Sequence, residues 1–369
     1  MRTDCLILGG GIIGCAVALE LRARKVEVTV VERGPIAGEA SSAAAGILAP
    51  QAEAGGPGPL LELARASRAL YPAWAESLRA ATGIDIAYRT DGALVVALHE
   101  HELDLLRARQ AWQTAAGLQV ERLSAAEVRA LEPALGETHG ALRFAGDHQV
   151  DNRRLARAVE QAAAQAGVRF VSAQARRVLH DGARVTGADL DGTPQVAGQV
   201  VLACGSWSAL LDGAGLPAQA VVPIRGQMIE LETRPPPLRH VVFGDDGYLV
   251  PRADGRVLCG STEEHAGFRK EVTPAGLERL ARRVARLCPA LGEARVARSW
   301  SGLRPGTADG LPLLGPTALV GLHLATGHFR NGILLAPITA RLIASIVTGE
   351  RTAAGLGIDL APFSVARLG

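Results

Sequence analysis

The feature that most restricts this chain lies at its start, where Gly9-x-Gly11-x-x-Gly14 follows the apolar run DCLIL at 4–8 and opens a helical pattern reaching about Arg24. A second apolar run, VEVTVV at 26–31, completes a strand–helix–strand unit. Glycine suits the three positions for steric reasons: Gly9 permits a tight turn, Gly11 lets backbone approach a ligand, and Gly14 lets the helix pack on the strand. Such a turn aims backbone N–H groups and the positive end of a helix dipole at one point, where a pyrophosphate binds. Glu32, at the end of the second strand, is placed to accept from ribose hydroxyls. The unit predicts a dinucleotide, and pattern alone does not separate NAD from FAD. Two features lean to FAD: the N-terminal position of the fingerprint, and the small-residue segment Ser41-Ser42-Ala43-Ala44-Ala45-Gly46, which would let a bulky ring system lie against backbone. On composition alone, that segment could equally be a flexible surface loop.

A single core stops growing near ~250–300 residues, so a chain of 369 is expected to form two domains. Beyond the first unit, a loop at 55–59 (GGPGP) precedes a helical pattern over 60–81 whose apolar positions include Leu60, Leu61, Leu63, Leu70, Trp74 and Leu78. The rhythm then changes to a strand at 93–98, a helix near 101–116, and a short helix opened by the capping box Ser124-x-x-Glu127. It returns at 151–171, where Asp151 can cap a helix ending at Gly167 before a strand, and at 199–204. Apolar runs at 220–231, 240–243, 248–250 and 256–259 predict an antiparallel sheet, with a helix from Pro274 to about Leu287 capped by Thr273. The fold class expected is α/β: a Rossmann-type domain discontinuous in sequence (1–83, 146–219 and 301–369), with a second domain of antiparallel sheet and helices (84–145 and 220–300).

Composition removes several classes of function. Lys and Arg number 39 against 37 Asp and Glu, a net charge of +2, and no basic run with interleaved aromatics offers a nucleic-acid surface. Five cysteines, Cys5, Cys15, Cys204, Cys259 and Cys288, form no CxxC pair, which favours a reducing, cytoplasmic setting. Arg2 followed by apolar residues to Leu19 imitates a signal peptide, but Asp4 and the four glycines at 9–11 and 14 fit the nucleotide turn better. The apolar stretch Ile333–Val347 carries Arg341 and is too short to span a membrane. No metal is expected, because His99 and His101, two apart, would face different ways on a helix.

Two late segments concentrate polar groups that packing does not require: Trp300–Thr307 (WSGLRPGT) and Gly327–Gly332 (GHFRNG). Arg304, between Gly302 and Pro305-Gly306, suits a bidentate grip on a carboxylate, although sequence physics alone favours a surface arginine, the fate of most arginines. The second segment leads into an apolar helix whose N-terminus could stabilise negative charge on a reduced flavin, or could be a plain helix start capped by Asn331 or Gly332. Tyr248 sits on a predicted central strand as either core or ligand.

These segments, with GGGIIG at 9–14, SSAAAGIL at 41–48, YLVPR at 248–252, SGLRPGTADGLPLLG at 301–315 and GHFRNGILLAP at 327–337, make the chain similar over nearly its whole length to the FAD-dependent amino-acid oxidase family. Within it, the similarity is greatest to the glycine-oxidising branch that serves thiazole synthesis for thiamine. The resemblance implies non-covalent FAD held by Ile12, Ile13, Glu32, Arg33, Ser41, Ala45, Gly46, Ile47 and His328-Phe329-Arg330-Asn331-Gly332-Ile333-Leu334, with a backbone contact near Ala175. It implies Arg304 on the substrate carboxylate, Tyr248 assisting, Arg330 close to substrate, molecular oxygen as acceptor, and a homo-oligomer. Asp246 and Glu263 depart from the branch's histidine and methionine and bear on which amine fits. A D-amino-acid or sarcosine-type oxidase or dehydrogenase is the alternative within the family. An NAD-linked dehydrogenase, a flavin module acting on tRNA, and a nucleotide sensor are the alternatives outside it.

Overall fold

Four successive apolar residues, Cys5, Leu6, Ile7 and Leu8, have no room for solvent on either side, each being 0% exposed. That is the condition of a strand buried on both faces of a parallel sheet. They form β1 (Cys5–Leu8) in the computed structural model, which describes residues 3–350 and 357–368; Arg2 lies outside them. β1 pairs in parallel with β2 (Val28–Glu32) and β12 (Gln199–Leu202). The sheet continues through β8 (Arg169–Ser172) on one side and β19 (Leu322–Thr326) on the other, with β18 (Leu313–Pro316) antiparallel at the edge.

Alternation assigns the two faces of this sheet. Cys5 and Ile7 pack with α1 (Ile12–Ala23), α6 (Asn152–Gln165) and α8 (Gly332–Thr348), while α3 (Pro59–Thr82) lies against α8. Leu6 and Leu8 turn the other way. They meet Val178, Ala188 and Leu190 of a three-stranded antiparallel sheet, β9 (Ala175–His180), β10 (Val185–Leu190) and β11 (Thr193–Val196).

The eight-stranded sheet runs β17-β13-β16-β15-β14-β4-β6-β5. Its strands are β4 (Ala93–Ala97), β5 (Glu121–Ser124), β6 (Gly140–Phe144), β13 (Val222–Glu232), β14 (Val241–Gly244), β15 (Gly247–Pro251), β16 (Arg256–Gly260) and β17 (Arg295–Gly306). α7 (Pro274–Leu287) starts under Thr273, whose Oγ1 accepts from Gly276 N–H at 3.2 Å, and packs its apolar side on β13, β15 and β16. α4 (Glu102–Ala115) and α5 (Ala125–Leu131) flank the far strands, α5 opening on the capping box Ser124–Glu127. A short ladder of β3 (Ile47–Leu48) with β7 (His148–Gln149) and the single turn α2 (Ala40–Ala43) complete the elements near the nucleotide turn.

Three readings of the sequence are corrected. Ser301–Gly306, expected with the nucleotide-binding segments, is the end of β17 in the eight-stranded sheet, and the chain rejoins the parallel sheet only at β18. That larger sheet is not purely antiparallel, because β14 runs parallel to β4. His99 and His101 are not on a helix but precede α4, with rings stacked at 5.5 Å.

Candidate active site

The nucleotide turn is glycine for reasons the packing makes explicit. Gly9 has φ +109°, and a Cβ there would lie 2.3 Å from the Ala203 carbonyl oxygen. A Cβ on Gly14 would lie 2.0 Å from the Gly9 oxygen, so a methyl group would push α1 off β1. With glycine at the N-cap, α1 has no side chain of its own to cover its first N–H groups. Ser41 supplies one from α2, its Oγ accepting from Ile12 N–H at 2.9 Å. Asn152 holds α2 in turn, donating to the Ser41 and Ser42 carbonyls at 2.9 and 3.2 Å. Glu32 accepts from Gly10 N–H at 2.8 Å and Gly34 N–H at 3.0 Å, which fixes its carboxylate at the end of β2.

Around this turn lies a cavity of about 810 Å³, near the top of the size range for ligand sites. It brings together Gly9, Gly11, Ile12, Ile13, Glu32, Arg33, Ser41, Ala45, Gly46, Ile47 and Ala175 from the first part of the chain. His328, Phe329, Arg330, Gly332 and Ile333 join them from the last part, with Tyr248 and Arg304. Four expected residues are not in its wall. Gly14 is used up in helix–strand packing, and Ser42 donates its hydroxyl to the carbonyls of Gly38 and Glu39. Asn331 occupies the N-cap position of α8, and Leu334 is core, 1% exposed, its carbonyl accepting from Ser67.

The cavity also contains groups that the sequence did not announce. Ala203, Cys204, Gly205, Ser206 and Trp207 follow β12, and Arg33 lies over the Trp207 ring at 4.2 Å from its centroid. Their signal was positional: the carboxyl end of a parallel strand beside β1 is where such sheets bind ligands. Cys204 donates to the Leu8 carbonyl, and burial pushes its thiol up to about 12, so it is no nucleophile. Met228, Gly226 and Gly302 enter from the other sheet, and Glu53 from the loop after β3.

At the end of the cavity formed by the eight-stranded sheet, Arg304 on β17 lies across Gly226, where a Cβ would be 2.2 Å from its guanidinium nitrogens. Its Nη2 donates to Ser261 Oγ and its Nη1 to the Thr262 carbonyl at 3.3 Å. Both partners are neutral, and no ion pair joins Arg304 to a carboxylate among the described residues. A partly buried cation in that state gains most from a ligand that carries the missing negative charge. Tyr248, buried on β15, points its hydroxyl at Met228 Sδ, 3.4 Å away. Arg330 donates to Glu53 Oε1 at 3.0 Å, and the neighbouring carboxylate holds its guanidinium above the usual range.

His328, wholly buried and bonded to Thr339 Oγ1 at 3.1 Å, is pushed down to about 3 and is neutral. Phe329 takes φ +47°, rare for an aromatic residue, and its N–H donates to the Pro305 carbonyl, tying the turn to β17. No side chain caps α8, so the N–H groups of its first turn end at the cavity wall, beside Gly332 and Ile333. A second cavity of about 820 Å³ shares Glu53, Tyr248 and Arg330 with the first and contains Asp246 and Glu263. No group of three metal-ligating side chains occurs among the described residues, nor is any helix there long and apolar enough to cross a membrane.

The glycine cradle, the fixed carboxylate at the end of β2 and the adjoining cavity fit a dinucleotide. Glycine oxidase from Geobacillus kaustophilus is 39% identical over 99% of this chain and 97% of its own, and its crystal structure superposes with a TM-score of 0.94. The bifunctional protein ThiO/ThiG of Synechocystis is 41% identical over 95% of this chain, which spans about half (52%) of that longer protein. Iminodiacetate oxidase from Chelativorans is 28% identical, with a TM-score of 0.88 over 98% of both chains. The model of the FAD dependent oxidoreductase family matches residues 4–346, and the chain belongs to that family of FAD-dependent enzymes.

Proposed function

We propose that the protein oxidises glycine to its imine, which water converts to glyoxylate and ammonia, with sarcosine or small D-amino acids as the other candidate amines. The observation that carries this reading is Arg304, a partly buried cation with neutral partners only, in the same cavity as the nucleotide turn. Arg304 takes the substrate carboxylate in two parallel hydrogen bonds and so fixes which way the α-carbon faces. Tyr248 borders the same space with its phenol, and Arg330, balanced by Glu53, closes the side shared with the second cavity. Bound non-covalently, FAD supplies the two-electron oxidant for the α-C–H bond, and molecular oxygen restores it with formation of hydrogen peroxide.

The chain's own part is positioning, so the amine needs only to arrive unprotonated for the C–H bond to break. The uncapped N-terminus of α8 borders the cavity and would favour negative charge on a bound, reduced cofactor, while the neutral His328 adds no positive charge of its own. The Synechocystis relative, which joins a similar segment to a ThiG portion, supports delivery of the glycine imine to thiazole synthesis for thiamine. The family resemblance supports a homo-oligomer, and five cysteines without a CxxC pair support a reducing, cytoplasmic setting.

Anaerobic mixing with glycine, sarcosine and D-alanine tests the reading. Glycine is expected to bleach the flavin, and air to restore it with peroxide. Bleaching by another amine alone would transfer the assignment to that amine, and protein that holds no flavin when offered FAD would overturn it.

A further inference from the structure

Glu53, which borders both cavities, and Ala52, which borders the second, belong to Ala49–Ala54, a stretch of turns with neither helix nor strand. Its shape is imposed by one buried carboxylate. Asp147, 0% exposed in the turn between β6 and β7, accepts from Ala52 N–H at 2.7 Å and Gln51 N–H at 3.4 Å, and receives Arg68 Nη1 at 2.8 Å. Gln51 is fastened further: its Nε2 donates to Gln113 Oε1 at 3.1 Å and to the Gln119 carbonyl at 3.0 Å, while Gln113 Nε2 donates to the Gln51 carbonyl at 2.9 Å. Arg109 grips the Ala52 carbonyl at 2.8 Å. The next residue is Glu53, whose carboxylate receives Arg330. A chain of short polar contacts thus runs from Asp147 to a guanidinium in both cavities.

We propose that Asp147 is a positioning residue for amine oxidation: its carboxylate fixes the Gln51–Ala52 peptides and, through Glu53, sets where the Arg330 guanidinium stands in the substrate cavity. The inference rests on the reading that Arg330 lies beside the substrate.

An ionised carboxylate is a costly buried anchor for two peptide groups, and its cost makes the clamp sensitive to protonation. Burial pushes Asp147 up to about 7, against the opposing pull of Ala52 N–H, Arg68 and Gln51 N–H. The other charged or titratable groups around it are Arg68 on α3, Arg109 on α4, Glu53 on the turn itself and His148 beside it, which burial keeps neutral down to about 4. Protonation leaves Asp147 one good acceptor oxygen in place of two, so the turn loosens and Arg330 loses its fixed partner as pH falls below neutrality.

The test compares steady-state kinetics of the FAD-loaded enzyme with those of Asp147→Asn, Glu53→Gln and the double variant. Asp147→Asn is expected to raise KM for glycine about tenfold with kcat changed less than about threefold, a split that marks lost binding rather than lost chemistry. It should also erase an inflection near pH 7 in kcat/KM. Glu53→Gln, which cuts the link while leaving Asp147 in place, should erase the same inflection, and the double variant should be no worse than the poorer single one. Additive effects in the double variant, or an inflection that survives either substitution, would overturn the proposal. Should Asp147→Asn fail to fold, Glu53→Gln alone decides it through its pH profile. Arg330→Gln with unchanged KM would instead remove Arg330 from the substrate, a distinct failure.

Discussion

At the scale of single residues, the site depends on what is absent around Arg304. Gly226 provides the flat surface on which the guanidinium rests, so Gly226→Ala should displace it without touching the nucleotide turn. The expected outcome is a KM for glycine raised roughly ten- to a hundredfold, the equivalent of losing a charge-assisted hydrogen bond of about 1.5–3 kcal/mol, with FAD still bound. Arg304→Ala should do at least as much. Steady-state kinetics with a flavin absorbance check measure both, and an unchanged KM in Arg304→Ala would remove that residue from the substrate. Arg304, set between glycine and proline, stood out only through the family motif around it, since most arginines are surface residues, whereas Gly9-x-Gly11-x-x-Gly14 was visible because its steric demands are local. Glu53 and Met228 were not. Glu53 matters because of Arg330, 277 residues away, and Met228 matters because of Tyr248, on a strand it does not directly pair with.

Among elements, the helices were legible and part of the sheet pairing was not. Helices α3 and α7 announced themselves by 3.6-residue periodicity, α3 behind a glycine- and proline-rich loop and α7 behind its cap Thr273, information contained in one stretch of chain. The strands β9 and β11 carry mostly exposed or half-exposed residues and thus little pattern, and nothing local could reveal that β14 runs parallel to β4. Two caps that look alike in sequence should differ in strength. Ser124 is an exposed cap on a two-turn helix, and Ser124→Ala is expected to cost about 1 kcal/mol. Asp151 is buried, accepts from Arg153 and Arg154 N–H at 3.1 Å each, and also takes Arg256 at 2.7 Å from β16 of the other sheet. Asp151→Ala should cost about 2–4 kcal/mol, since cap and charge-assisted bond go together. Denaturant midpoints read both; equal losses would show that the Arg256 bond contributes nothing.

The molecule as a whole should lose stability in mild acid, above the range where carboxylates of ordinary pKa titrate. Burial lowers His148 and His323 to about 4 and His328 to about 3, so the folded protein keeps all three neutral while the unfolded chain protonates them near 6.5. Stability from a depressed histidine is complete above its unfolded value and is lost as pH falls toward the folded one. Asp147 acts in the opposite sense: raised to about 7, it favours the folded state below its unfolded value and gives up that contribution as pH rises through neutrality. Three groups outweigh one, so the melting temperature of the FAD-loaded protein should fall between pH 7 and pH 5, and a flat profile would contradict the histidine assignments. The parallel sheet carries a further consequence, for how the protein is made. Helix α6 covers one side of α1 and α8 another, so the side of α1 turned toward α8 stays uncovered until residues 332–348 have been synthesised. During that interval the nascent chain exposes the apolar residues of α1 that α8 will cover, so completion of this core waits for an element more than 300 residues further along the chain.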